Sequence, residues 1–228
     1  ASRSAAGAKA GPLESVVEQL RVLEEARKDG SIELPDGSHL GVTNPAKLFW
    51  PKLKLTKGDL LRYYATVAPF ILPAVEDRPL VMKRFPNGVE GAAFYQQRSR
   101  LEKPPAGVRI ETIADDIDPI SEPDARRFIG GSALTLLYMT QIAAISQDPW
   151  FSRVQSPLDA DYVAIDLDPT EGAPFSRVLE VARLVHEELE SLNVPAVPKT
   201  SGSSGLHIYI PLAPGTSYES GMLFCQIV

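Results

Sequence analysis

The sequence predicts an α+β fold, with mixed or antiparallel sheets flanked by helices, and three observations carry that expectation. Residues 12–28 and 174–193 space their apolar side chains three and four apart, the period of a helix with one buried stripe. Residues 162–169 and 206–211 alternate apolar with polar side chains, the period of a strand with one buried face. Gly, Pro, Asn, Asp and Ser cluster between such segments, where turns need them. At 228 residues, 44% hydrophobic and 23% charged, the composition is that of a globular protein with ample length for a core. Cys225 is the only cysteine, which excludes an internal disulfide or a zinc cluster and fits a reducing cytoplasm. The apolar run 134–145 is too short, and too interrupted by Thr and Gln, to span a membrane.

Taken in order, residues 1–11 are small and polar and read as a disordered lead or a cloning remnant. Leu13, Val16, Val17, Leu20 and Leu23 then form a helical stripe that Asp29-Gly30 stops. Residues 1–30 are thus an N-terminal extension ahead of one main domain, 31–228. Ile32, Leu34, Leu40 and Val42 flank Pro35-Asp36-Gly37, a hairpin signature. Thr56 can cap a helix running through Leu60, Tyr64 and Val67. Lys57 falls in its first turn, where a cation opposes the helix dipole, unless an anion shares the free N–H groups there. Residues 79–85 read as a strand ending in the turn Pro86-Asn87-Gly88, and 94–97 as another, with Phe94 and Tyr95 on its core and surface sides. Residues 102–122 are expected as short strands and loops. Residues 132–146 read as a buried helix carrying Leu134, Leu137, Tyr138, Ile142 and Ile145, ended by Gln147-Asp148-Pro149-Trp150. The last helix, 174–193, stripes Phe175, Val178, Leu179, Ala182, Val185, Leu189 and Leu192 on one side, with His186 at its surface flank.

The chemistry concentrates in two stretches. In residues 162–169, Asp166 and Asp168 share one strand face while Ile165 and Leu167 take the other. Carboxylates two residues apart, about 6.5–7 Å between Cα atoms, can converge on one divalent ion or a close pair; the same letters also describe a strand that ends in turn-forming acids and Pro169. Thirty residues on, Lys199-Thr200-Ser201-Gly202-Ser203-Ser204-Gly205 is a donor-rich turn able to cradle an anion. It feeds a strand with Leu206, Ile208 and Ile210 on one face and His207 and Tyr209 on the other. A hairpin there would bring the loop and His207 beside the acids, although a lone histidine also serves purely structural ends. Charge is distributed unevenly: residues 47–103 hold eleven Lys/Arg against five Asp/Glu in a chain of net charge −6, an arrangement suited to phosphates on one part and metal ions on another.

Together these stretches resemble the polymerase domain of bacterial DNA ligase D, a branch of the archaeo-eukaryotic primase superfamily. The resemblance runs through Thr43-Asn44-Pro45-Ala46-Lys47, Trp50-Pro51, residues 55–60, Arg78-Pro79-Leu80, residues 83–88, 165–169 and 199–212, in the family's order. It implies a primase-polymerase-like core and a DNA-directed nucleotidyltransferase with two Mn²⁺ or Mg²⁺ ions on Asp166 and Asp168, using nucleoside triphosphates (NTP or dNTP) with a preference for ribonucleotides. Ser201, Gly202, Ser203, Ser204, Gly205, His207, Phe94, Tyr95 and Lys83 would contact the nucleotide, Arg84 the template, and Lys47 with Lys57 a DNA 5′-phosphate at a gap or break. Non-homologous end joining, alongside a DNA end-binding protein and a ligase and without a membrane, is the implied setting. The sequence departs from the family in three places. Asp148 stands where a phosphate-touching histidine is expected, Ser204 where a lysine is common, and the third metal carboxylate is expected past Val228, so that the domain reads as C-terminally incomplete. A non-catalytic 5′-phosphate-binding module is the alternative reading, and a phosphate-handling hydrolase a third.

Overall fold

The computed structural model describes residues 13–99, 104–113 and 126–228. These residues fall into two compact units, one ending at Trp150 and the other comprising residues 151–228.

The first unit opens with α1 (Glu14–Glu25), which buries Val16 and Leu20 behind a buried Leu13. Next come the hairpin β1 (Gly30–Glu33) and β2 (His39–Val42), closed where Ser38 donates from N and Oγ to Asp36 Oδ1. A second hairpin, β3 (Leu48–Trp50) and β4 (Leu55–Thr56), turns through a 3₁₀ segment, Pro51–Leu53. It leads into α2 (Lys57–Val75) through a capping box: Thr56 Oγ1 accepts from Asp59 N at 3.0 Å and Asp59 Oδ2 accepts from Thr56 N at 2.8 Å. Pro69 and Pro73 lie within α2 without ending it.

The main sheet is built on β5 (Pro79–Arg84). β6 (Phe94–Gln96) pairs with its end and β8 (Arg126–Ile129) with its start, with β7 (Ile110–Thr112) beyond β8. After α3 (Ala133–Gln141), β9 (Ala144–Pro149) pairs along the other edge of β5. All these pairings are antiparallel, and the buried residues of α1, α2, α3 and the sheet make one core. Gly130 is where α2 and the sheet meet: a methyl group there would lie 2.3 Å from the Val75 carbonyl oxygen. Gly130→Ala should therefore cost about 1–3 kcal/mol, as overpacking does; a melting temperature unchanged from the wild type would contradict this.

The structure corrects one element of the sequence reading. The helix expected to reach Ser146 stops at Gln141, and Ala143 takes φ +74°. From Ala144 the chain is extended, with Gln147 and Asp148 inside a strand rather than at a helix end. β-branched Ile142 and Ile145 lie close to where the helix gives way, and pairing with β5 at Ala144 and 146–149 overrides the helical spacing. Of the expected 102–122 segment, residues 102–103 and 114–122 lie outside the described residues, as do 1–12.

The second unit contains the hairpin β10 (Ser152–Arg153) and β11 (Ser156–Ala160), and a three-stranded antiparallel sheet ordered β12 (Tyr162–Leu167), β14 (Leu206–Pro211), β13 (Val197–Thr200). Its core face, with Val163, Leu206, Ile208 and Ile210, packs with Val178 and Leu189 of α4 (Phe175–Ser191). The rest of the expected α4 stripe is less buried: Phe175, Leu179 and Leu192 are 43%, 37% and 49% exposed. A three-stranded sheet is only about 10 Å wide, too narrow to cover so broad a stripe. α5 (Tyr218–Ile227) is capped by Ser217 and seats Gly221 against Val163. No helix among the described residues is long and apolar enough to cross a membrane.

Candidate functional site

The register of the second unit's sheet assembles the predicted acids, loop and histidine at one end. Asp166 pairs with His207, and Leu167 with Leu206; one step further, Asp168 meets Gly205. Directly opposed residues share a face, so Asp166 and His207 stand together on the face away from α4. Both carboxylates are exposed. His207 Nε2 lies 3.4 Å from Asp166 Oδ1, and Tyr209 Oη lies 3.4 Å from His207 Nδ1. Tyr209 is thus a positioning partner that the sequence signalled only as a polar alternation.

The Ser/Gly loop closes against the acids. A methyl group on Gly205 would lie 2.4 Å from Asp168 Oδ1 and 2.7 Å from the Leu167 carbonyl oxygen, so only glycine lets the loop pass. Ser201 Oγ accepts from Ser203 N at 3.2 Å and Gly205 N at 3.0 Å. Two of the expected phosphate donors are therefore spent on holding the turn, with Gly202 at φ +92°. The N–H groups of Gly202 and Ser204 bond to no acceptor among the described residues. Lys199 and Thr200, expected in the turn, belong to β13. No set of three His, Cys, Asp or Glu residues converges as a metal site among the described residues. Asp166 and Asp168 are the carboxylates that the register brings to this point, and a hard divalent ion held there would complete its shell with phosphate and water.

In the first unit, Lys47 and Lys57 flank the β3–β4 hairpin. Lys57 is buried, its Nζ donating to the Gln141 carbonyl oxygen at 3.1 Å. Burial and then the nearby Lys47 ammonium pull its pKa down to about 8, with Asp29 opposing. Lys47 is exposed, and its Nζ donates to the Pro86 carbonyl oxygen at 2.6 Å. The free helix N–H groups expected at the start of α2 are not free. Lys57 N donates to Lys47 O, Gly58 N to Pro45 O and Asp59 N to Thr56 Oγ1. Any anion here would be met by the two ammonium groups, each with further N–H donors, rather than by the helix end.

On β5 and β6, Lys83 pairs with Tyr95 and Arg84 with Phe94. Lys83 Nζ lies 5.2 Å from the Tyr95 ring centre, and Arg84 Cζ 5.3 Å from that of Phe94, distances of cation–π contact. The aromatics do not divide into core and surface as the sequence suggested: Phe94 is 46% and Tyr95 64% exposed. Arg84 is committed to the protein through Nε to Ile142 O at 2.7 Å and Nη1 to Gln96 Oε1 at 2.8 Å. Asp148, on β9, accepts from Ser146 Oγ at 2.6 and 2.7 Å.

Known proteins match this chain along most of its length. The family described as LigD, primase-polymerase domain, matches over residues 56–228. The multifunctional non-homologous end joining DNA repair protein LigD of Mycobacterium tuberculosis is 35% identical over 196 residues, covering 82% of this chain. The bifunctional LigD of Bacillus subtilis is 27% identical over 190 residues. This chain spans 25% of the former and 29% of the latter. Among solved structures, the polymerase domain of Mycobacterium tuberculosis ligase D in complex with DNA superposes with a TM-score of 0.70 at 29% identity, over 82% of this chain and 66% of that one. Carrying the acids, the Ser/Gly loop and the histidine on a fold of this kind, the chain belongs to the LigD primase-polymerase domain family.

Proposed function

We propose that this chain is a template-directed nucleotidyltransferase that fills gaps or ends of broken DNA during non-homologous end joining. The observation that carries the reading is the alignment of Asp166, Asp168, His207 and the 201–205 loop at one end of one sheet. Asp166 and Asp168 would hold Mn²⁺ or Mg²⁺, two ions in the working site. Bound there, the ions supply charge stabilisation for the attacking 3′-oxygen and the departing diphosphate. His207, its ring fixed by Asp166 and Tyr209, would donate to a phosphate or ribose oxygen. Ser201 shapes the loop, and the N–H groups of Gly202 and Ser204 face the triphosphate beside Ser203. Lys83, Phe94 and Tyr95 offer a charged and stacking surface to a nucleotide; stacking is worth about 1–3 kcal/mol per base. Arg84, held by Ile142 and Gln96, presents its remaining N–H to the template. The setting is the cytoplasm, at DNA ends, with an end-binding protein and a ligase as partners.

The test is primer extension on gapped DNA with a 5′-phosphate, supplied with Mn²⁺ and ribonucleotides. Templated extension supports the reading. Phosphate-dependent binding without extension would replace it with an end-binding module, and untemplated nucleotide hydrolysis with a hydrolase.

Lys57 gives a second, separable expectation. Charged hydrogen bonds are worth about 1.5–3 kcal/mol, so Lys57→Ala should lower the preference for 5′-phosphate over 5′-hydroxyl DNA by about ten- to a hundredfold. Its pKa is depressed, so the ammonium is present below about 8 and lost above it; the preference should fall as pH rises through that value. Folding has the opposite sense: the cost of burying the charge is present at neutral pH and disappears as pH climbs from about 8 towards the unfolded value of 10.5. Lys57→Arg, which keeps its proton, should flatten the pH dependence of binding. Competition binding with the two DNA ends at pH 7 and 9 reads both, and a pH-independent preference in the wild type would remove the assignment.

A further inference from the structure

The sheet register of the second unit places one more charged group in line with the site. Lys199 pairs with His207, which pairs in turn with Asp166. The three side chains form a row across β13, β14 and β12 on the face away from α4, because opposed residues share a face. Read across the sheet, the row is ammonium, imidazole, carboxylate. With neighbouring strands about 4.8 Å apart, its ends are about 10 Å apart at the backbone, and His207 stands midway.

Lys199 is exposed, and its Nζ donates to the adjacent Thr200 carbonyl oxygen at 2.9 Å. It forms no ion pair among the described residues, so no neighbouring carboxylate neutralises it. β13 is an edge strand whose four residues are all exposed, so Lys199 is not there to pack. The Ser201–Gly205 turn connects its strand to that of His207 and borders the row at the end where Asp168 lies. An anion anchored through a divalent ion at the acids, and lying across His207, would therefore run towards the ammonium.

We propose that Lys199 binds the terminal phosphate of the nucleoside triphosphate and so makes the site selective for triphosphates. The proposal rests on the nucleotidyltransferase reading and deepens it. The negative charge of a triphosphate is greatest at its terminal group, and an ammonium on a flexible stem suits a phosphate oxygen as a point charge. Acid-held cations at one end and Lys199 at the other would set the length of the anion the row accepts. Lys199 acts on substrate binding and not on the bond-making step.

The test compares wild-type protein with Lys199→Met, which keeps the apolar stem, and Lys199→Arg, which keeps the charge. Binding of nucleoside tri- and monophosphates is measured in Mn²⁺ by competition with a fluorescent triphosphate, alongside primer extension. Lys199→Met should bind the triphosphate about tenfold more weakly and the monophosphate as the wild type does. Its KM for nucleotide should rise with little change in kcat, and Lys199→Arg should restore most of the loss. Equal triphosphate affinity in Lys199→Met, or an equal loss for both nucleotides, overturns the proposal while leaving the polymerase reading intact. A wild-type protein that binds no triphosphate in Mn²⁺ overturns both.

Discussion

Asp166→Asn should reduce primer extension by about a thousandfold while leaving the protein folded. The substitution keeps the shape of the side chain beside His207, whose Nε2 lies 3.4 Å from the carboxylate. What disappears is the charge that a hard cation requires. A metal site contributes several kcal/mol to the transition state, and about 4 kcal/mol corresponds to three orders of magnitude in rate. Stability should hardly move. The Asp166 side chain is 61% exposed, and an ion pair so solvated is worth about 0–1 kcal/mol. Single-turnover extension across a Mn²⁺ titration, with thermal melting as the control, separates the two effects. A variant that extends at the wild-type rate would remove Asp166 from the metal site. One that melts early and loses activity in proportion would show only a structural role.

The parts of the fold that could be read from the sequence are those with one buried face. β12 and β14 alternate cleanly because Val163, Ile208 and Ile210 are buried under α4 while Asp166 and His207 are not. α1 and the start of α2 were visible through their stripe and the Thr56 cap. The misreadings have a common physical origin in tertiary pairing. The helical spacing of α3 runs on through Ile142 to Ile145, yet Ala144 and residues 146–149 find ladder partners on β5, and the ladder decides. β13 has no alternation at all, since its four residues are exposed; only its pairing with β14 defines it, and Lys199 was read as part of the turn instead. β8 holds Arg127, buried, with its guanidinium 4.4 Å from the Trp150 ring centre. A charged residue in the core has no periodic signature.

The candidate site shows the same division. The strand period placed both acids on one face, whereas the loop and His207 stand beside them because β14 pairs antiparallel with β12, which the sequence offered only as one possible hairpin. Electrostatic detail did not follow. That Lys57 would be buried with its Nζ on the Gln141 carbonyl depends on where α3 ends. That Ser201 would spend its hydroxyl on the loop's own N–H groups depends on the turn's closure.

That closure makes Gly205→Ala the sharpest probe of how loop and acids depend on each other. Gly205 is buried at the step where the register brings the loop against Asp168. An added methyl group would meet the Leu167 carbonyl oxygen at 2.7 Å, against an ordinary contact beginning near 3.4 Å. A backbone carbonyl in a paired strand cannot give way, so the loop is the part that moves. The loop must therefore retreat by roughly 0.7 Å, and with it Ser201 and the free N–H groups of Gly202 and Ser204. Displacements approaching 1 Å in a reacting geometry cost about a hundredfold in rate, and that is the loss expected for extension. Overpacking of this kind costs about 1–3 kcal/mol in stability, so the variant should remain folded at 25 °C. Unlike Asp166→Asn, it keeps both carboxylates, so its Mn²⁺ affinity should stay within a few-fold of the wild type while its KM for nucleotide rises. Measuring Mn²⁺ binding and extension side by side therefore distinguishes the two variants. Wild-type extension by Gly205→Ala would mean that the loop does not touch the substrate.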